Sequence, residues 1–480
     1  MTLRTMRHSG GVMALTLSLV LTGYGAHRVQ AGSPAASGPN PQMALAASLK
    51  GRVYSTGSHG EKAMSPRALK RTAARIRSHW VSTWGASPQE ATPGSLAATG
   101  FDNQTVRNII FTSVGGATVR VRFSNTFGDQ PLEIGRAAIG VELSGASVAA
   151  GTNRPLLFAG QTAVTIPPGA EALSDPVNLT VAPLQDLVVS IYLPQANGPA
   201  TQHADAQQVN YVASGDQALS DSGAAFTTQT QSWYLLDDVD VLVPKRVRGT
   251  VVALGDSITD GAASTVNTNA RWPNDLARRL DAREGSTLSV IDEGISGNRV
   301  LNNSPCFGVD ALARLDRDVL SQAGVRDVIL LEGINDIGFS QTSPTNVYPG
   351  VPFPCFLPNI DVSAAQIIAG YQQIIAQAHA EGFKIFGGTL APFGGAFYWS
   401  PAAEAKREAV NGWIRTNGAF DGVIDFDAAV RDPSNPLVLK PAYDSGDHLH
   451  PNDAGYQAMA TAIDLTMLGA RHVSAPSEKE

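Results

Sequence analysis

Four short blocks in the second half of the chain carry residue types that can do chemistry together. They are Gly255-Asp256-Ser257-Ile258-Thr259, Gly294-Ile295-Ser296-Gly297-Asn298, Glu332-Gly333-Ile334-Asn335-Asp336 and Asp447-His448-Leu449-His450-Pro451. Between them they offer a hydroxyl, N–H donors, an amide, a carboxylate and an imidazole. A serine hydroxyl is a weak nucleophile and needs a base within hydrogen-bond reach. Histidine serves when a carboxylate fixes its tautomer and stabilises the imidazolium that forms. Asp447 stands three positions before His450, close enough for that duty in a tight loop. An oxyanion would need preorganised donors, and the candidates are Ser257 N–H at a helix start, Gly297 N–H in a loop and the Asn335 amide. Each such donor typically lowers a barrier by about 2.7–4 kcal/mol.

These blocks need a scaffold that brings distant residues to one edge. From Thr250 onward, short apolar runs at Val251–Leu254, Leu288–Ile291, Val328–Leu331, Ile385–Leu390 and Val423–Phe426 read as strands. Helical patterns intervene at Pro273–Arg283, Val309–Gln322, Ala364–Ala380, Glu404–Thr416 and Asp453–Leu468. Apolar strands alternating with helices predict a mostly parallel sheet buried on both faces. Ligands bind beyond the carboxyl ends of such strands, which is where the first three blocks fall.

Taken in order, Gly255-Asp256-Ser257-Ile258, Ser296-Gly297-Asn298, Gly333-x-Asn335-Asp336 and Asp447-x-x-His450 resemble the SGNH/GDSL hydrolases. The family's Ser, Gly, Asn and His match Ser257, Gly297, Asn335 and His450. The resemblance covers Thr250 to Gly469. It implies a flavodoxin-like α/β/α fold and a serine esterase working through an acyl-enzyme without a cofactor or metal. No Gly-x-Ser-x-Gly elbow occurs, which argues against the ordinary α/β-hydrolase fold. Carbohydrate O-acetyl esters and lysophospholipids are alternative substrates of the same mechanism.

Competing readings exist for single residues. Ser257 alone reads as a helix N-cap, with Asp256 making a turn. His448 competes with His450 as the base. Asp256 and Asp336 read as carboxylates that order loops, and Gly297 as a turn residue needing positive φ. Arg299 and Trp272 suit either substrate contact or surface packing, and Asp425 and Asp427 suit capping. A metal-dependent phosphoesterase would use Asp256, Asn335, Asp336, His448 and His450 as ligands. A binding protein with a vestigial hydrolase domain is a third class.

Before Thr250 the texture differs. Between His79 and Pro244, short β-type runs alternate with turns such as Pro167-Pro168-Gly169, and Thr118–Ser124 alternates strictly. This predicts an all-β sandwich or jelly roll at 79–245, without a helix, joined at Lys245–Gly249 to a hydrolase domain at 246–470. Trp80, Trp84, Tyr211 and Trp233 read as core aromatics, with a sugar platform as the alternative. Residues 1–31 have a basic start, an apolar stretch from Val12 to Leu21 and small residues before a cleavage point after Ala31, the pattern of a secretory signal. Residues 32–78 read as a linker or pro-segment, and 471–480 as a tail. Export makes the two cysteines, Cys306 and Cys355, candidates for a disulfide. Such a bridge, closing about 50 residues, would contribute about 4 kcal/mol on the chain-entropy account. It would tie the loop after the second block to the Gly- and Pro-rich segment Phe339 to Ile360, predicted to line the pocket.

Over the whole chain, 480 residues with 43% hydrophobic and 16% charged content exclude a disordered or disulfide-built miniprotein. The formal net charge of −7 becomes −10 once Arg4, Arg7 and Arg28 leave with the signal. Nothing in it calls for nucleic acid or a membrane anchor. The expected partner is a small-molecule or polysaccharide-linked ester, met in a secreted or periplasmic setting.

Overall fold

The strands Val247–Gly255, Thr287–Gly294, Val325–Leu331, Lys384–Gly388 and Gly422–Ile424 run parallel in one sheet. These first to fifth parallel strands lie in the order second, first, third, fourth, fifth, with the first strand inside the sheet. That is the flavodoxin-like order, and the chain reverses direction of winding at the first strand. A computed structural model describes residues 78–469 of the chain. The predicted signal, the linker as far as Arg77 and the tail lie outside the described residues.

Helices cover the sheet where the sequence predicts them. Ala364–Ala380 begins at a capping box, Ser363 with Gln366, and buries Ile367, Tyr371, Ile374 and Ala378 at helical spacing. Pro401–Thr416 starts with Ser400 as cap and Pro401 in the first turn, where a missing N–H costs nothing. The predicted Val309–Gln322 helix is shorter. Ala311–Leu315 is α-helical, and the chain then widens over Asp316–Leu320, with Ser321 N–H bonding back to Asp316 O at 3.0 Å. The last helix, Asp453–Ala462, also stops earlier than its pattern suggests.

The part before Lys245 is almost all antiparallel β. One sheet pairs Ser78–Gly85, Leu236–Pro244, Val119–Ser124 and Glu171–Leu173. A larger one is built on Gln104–Phe111, Asp186–Leu193 and Arg136–Ser144. Val81, Val121 and Val239 of the first sheet share a core with Val106, Ile139 and Val189 of the second. Alternation put these residues on the inner faces. One short helix, Leu96–Thr99, was not foreseen.

No linker separates the two parts. Leu236–Pro244 turns at Lys245-Arg246 directly into the first parallel strand, so the predicted junction is a tight turn. The interface is held by polar groups. Ser82 N–H donates to Ala323 O at 3.0 Å, Ser82 Oγ accepts from Ala323 N–H at 3.1 Å, and Ser113 Oγ accepts from Val290 N–H at 3.1 Å. Buried polar groups must be paired, so this surface is fixed in register. Among the described residues, no helix is long and apolar enough to cross a membrane.

Candidate active site

Ser257 follows the first parallel strand as the opening residue of a one-turn helix, Ser257–Asp260. Asp256, not Ser257, is the N-cap, and its Oδ1 accepts Ile258 N–H at 3.0 Å. Thr259 and Asp260 N–H groups bond to Asp256 O, which leaves the Ser257 N–H as the unclaimed donor of the turn. Gly255 is required by close packing: a side chain there would strike Thr259 and the Leu331 carbonyl. Burial pushes the Asp256 carboxyl up to about 7, against the Ile258 N–H bond.

The Asp447–His450 turn reaches Ser257 across 193 positions. His450 Nε2 lies 2.8 Å from Ser257 Oγ, and His450 Nδ1 lies 2.6 Å from Asp447 Oδ2. Asp447 Oδ1 also accepts the Leu449 and His450 N–H groups at 2.9 and 2.8 Å. Burial opposes ionisation of Asp447, but the His450 ring and these N–H groups outweigh it and hold the carboxyl well below its usual range. His448 turns away, with φ +64°, and pairs with Asp444 at 2.6 Å on the surface. Of the two histidines, only His450 reaches Ser257.

The second and third blocks close the other side. Gly297 has φ +80°, and a Cβ there would run into the Phe307 ring, so both conformation and packing demand glycine. Asn335 Nδ2 donates to Asn298 O at 2.9 Å, and Asn335 Oδ1 accepts from Tyr398 Oη at 3.2 Å. These bonds fix which face of the amide carries its second N–H. Asp336 accepts Val300 and Leu301 N–H groups at 2.7 and 3.1 Å, so it orders the loop after the second block. Burial pushes this carboxyl too up to about 7. The five residues nominated for a metal centre therefore form no common ligand set: Asp256 and Asp336 order loops, Asn335 is bonded to Asn298 and Tyr398, His448 faces solvent, and His450 is bonded to Ser257 and Asp447. Among the described residues no group of three His, Cys, Asp or Glu is arranged to hold a metal ion.

Several positioning residues went unrecognised in the sequence. Arg314 is fully buried and donates to Gly255 O at 2.9 Å, Glu293 O at 2.7 Å and Asn298 Oδ1 at 3.0 Å. One guanidinium thus braces the ends of the first two parallel strands and the second block. It also reaches Ser87 Oγ of the β-rich part at 2.8 Å. Asp260 accepts Ser296 N–H at 2.8 Å and pairs with His203 Nε2 at 3.0 Å. Tyr348 donates to Asp447 Oδ2 at 3.1 Å. An arginine with an acid four residues on, as in Arg314 and Asp318, is a common surface pattern, so only the apolar spacing around it hinted at burial. Tyr348 carried no local signal beyond its place in the Gly- and Pro-rich segment.

Other expectations change. Arg299 is buried rather than on the surface; it lies over the Phe339 ring and donates to Pro358 O at 2.6 Å, anchoring the 339–360 segment. Trp272 is core, against Phe426. Asp425 does cap the helix Phe426–Val430, whereas Asp427 is a buried partner of Arg407, Arg415 and Arg431. Trp84 and Trp233 pack edge to face inside the β core, 5.0 Å apart. Cys306 and Cys355 are bonded, with Cα atoms 5.0 Å apart. A cleft of about 480 Å³ is lined by Ser257, Gly297, Asn335 and His450 together with both cysteines.

Residues 253–458 match the GDSL-like lipase/acylhydrolase family. No curated protein matches the chain. Among solved structures, the chain is similar to an acetylxylan esterase from Geobacillus stearothermophilus, at 21% identity over 45% of this chain and 92% of that one, TM-score 0.34. It is also similar to a GDSL-like lipase from Bacteroides thetaiotaomicron, at 18% identity over 46% and 88%, TM-score 0.33. A G-D-S-L family lipolytic protein from Veillonella parvula matches at 16% identity over 44% and 94%, TM-score 0.30.

Proposed function

We propose, from the membership of residues 253–458 in the GDSL-like lipase/acylhydrolase family, that this serine ester hydrolase works through Ser257, His450 and Asp447. The observation that carries the assignment is the 2.8 Å bond from His450 Nε2 to Ser257 Oγ, with Nδ1 held by Asp447. His450 takes the Ser257 proton as Oγ attacks the ester carbonyl carbon. The carbonyl oxygen becomes an oxyanion and is met by the Ser257 and Gly297 N–H groups and the second Asn335 amide hydrogen. Collapse breaks the carbon–oxygen bond to the alcohol, which leaves with the proton from His450. Water, deprotonated by His450, then cleaves the acyl-enzyme and restores Ser257. Asp447 stays ionised throughout, consistent with its depressed pKa.

Carboxylic esters are the substrate class, and short-chain acyl, lysophospholipid and polysaccharide O-acetyl esters all suit the chemistry. The N-terminal pattern of residues 1–31 and the bonded cysteine pair support export. A 4-nitrophenyl ester chain-length series beside acetylated xylan, run on wild type and Ser257→Ala, tests the assignment. Ser257→Ala is expected to lower kcat/KM at least about 10³-fold on every ester that wild type cleaves. Turnover that survives the substitution would sink the reading.

A further inference from the structure

We infer that the β-rich part reads the substrate: Asp205 and Gln207 form a hydroxyl-binding subsite, so the preferred ester joins an apolar half to a hydroxyl-bearing half. This rests on the esterase reading above. The cleft lining divides by chemistry and by origin. Phe307, Phe339, Tyr348, Phe356, Phe397 and Tyr398, all from the later part of the chain, give it an aromatic portion. Their rings pack on one another, Phe339 on Phe356 at 5.0 Å and Phe397 on Tyr398 at 4.2 Å. The β-rich part contributes instead Gln89, Thr92, Asp205 and Gln207. An enzyme acting on esters apolar in both halves has no use for a carboxyl and amides in its cleft, because desolvating them costs free energy without return.

The polar portion is built, not incidental. Ser296 Oγ, beside the Gly297 donor, lies 2.7 Å from Asp260 Oδ2 and 3.0 Å from Asp205 Oδ2, two acceptors that share its one proton, and Asp205 Oδ1 accepts Gln207 Nε2 at 2.7 Å. Two carboxylate oxygens offer about four acceptor positions, so capacity remains for a substrate hydroxyl. The segment carrying them is pinned on both sides. His203 sits between Ser87 O and Asp260, each at 3.0 Å, Ala204 N–H donates to Gln89 Oε1 at 2.9 Å, and Asn267 N–H donates to Gln207 O at 3.1 Å. Arg271 holds the Ala206 carbonyl between them. Burial, first, and the charge of Asp260 push the Asp205 carboxyl up.

Matched esters test this without prejudging which half carries the hydroxyls. The pairs are 1-monohexanoylglycerol against propyl hexanoate, and propyl glycerate against propyl propanoate, with hexanoylcholine as the cationic arm. Wild type is expected to favour the hydroxylated member of at least one pair by at least about tenfold in kcat/KM. In Asp205→Ala and in Gln207→Ala that ratio should fall to within about threefold, since a lost hydroxyl contact is worth about a factor of ten. If Asp205 only braces Ser296, both members slow together and the ratio survives, which would overturn the inference. So would a wild type without preference, or one favouring hexanoylcholine over monohexanoylglycerol. Failure of the esterase reading shows separately, as propyl hexanoate turnover undiminished in Ser257→Ala.

Discussion

Asp447 receives its imidazole partner and four further donors: Ser445 Oγ, the Leu449 and His450 N–H groups, and Tyr348 Oη. A carboxylate so held keeps its charge and its orientation, which is what a base-orienting residue requires. Tyr348 is the donor that comes from outside the Asp447 turn. Tyr348→Phe keeps the ring against His450 and deletes one bond to a charged acceptor. It should lower kcat roughly fivefold, as expected for about 1 kcal/mol, with KM little changed. An unaltered kcat would show that the remaining donors suffice. The juxtaposition of Ser257, His450 and Asn335, the proposed nucleophile, base and amide, was legible in the sequence because each sits in a short block whose spacing encodes its geometry. Tyr348, Arg314 and Asp205 were not, because each acts across a contact that no local pattern records.

The strap from Phe339 to Ile360 joins the site to the disulfide. It carries Tyr348 and Phe356 to the cleft, and it is anchored by Arg299 at Pro358 O and by Ser304 Oγ at Cys355 O. The Cys306–Cys355 bond ties it to the loop after the second block. Reduction, or Cys306→Ser, should impair or broaden ester turnover while far-ultraviolet circular dichroism stays native, since the strap lies outside the parallel sheet. Identical kinetics with the bond shown to be open would contradict this. The parallel strands and main helices were readable from apolar runs and caps, as in Ala364–Ala380, where the predicted and observed limits coincide. The helix after Ala311 was misjudged because its widening answers tertiary demands on Arg314 and Asp318, which pair at 3.2 Å in the core.

Across the molecule, two cores meet at a polar seam, and that seam was invisible to sequence reasoning. Period-2 alternation distinguishes inside from outside but does not say that Ser82, Ser87 and Ser113 face a second sheet system instead of water. Burial raises several ionisations: Asp256, Asp336 and Asp292 are each pushed up to about 7, and Asp327 to about 6. Carboxyls with raised folded-state pKa values bind protons more tightly folded than unfolded. Their stabilising contribution is complete below about pH 4 and is lost as pH rises through about 7. His203, raised by Asp260 against its burial, adds in the same direction near neutrality. The depressed Asp447 acts oppositely, but only below about pH 4. Thermal melting should therefore give a higher Tm at pH 5 than at pH 8, and a Tm that rises with pH across this range would refute the linkage. The central claim is that Ser257 is an activated nucleophile, and mass spectrometry after exposure to a fluorophosphonate ester measures it most directly. One adduct on Ser257 in the wild type, absent from Ser257→Ala, is the predicted result. A wild type that stays unlabelled, or an adduct that persists in Ser257→Ala, would contradict it.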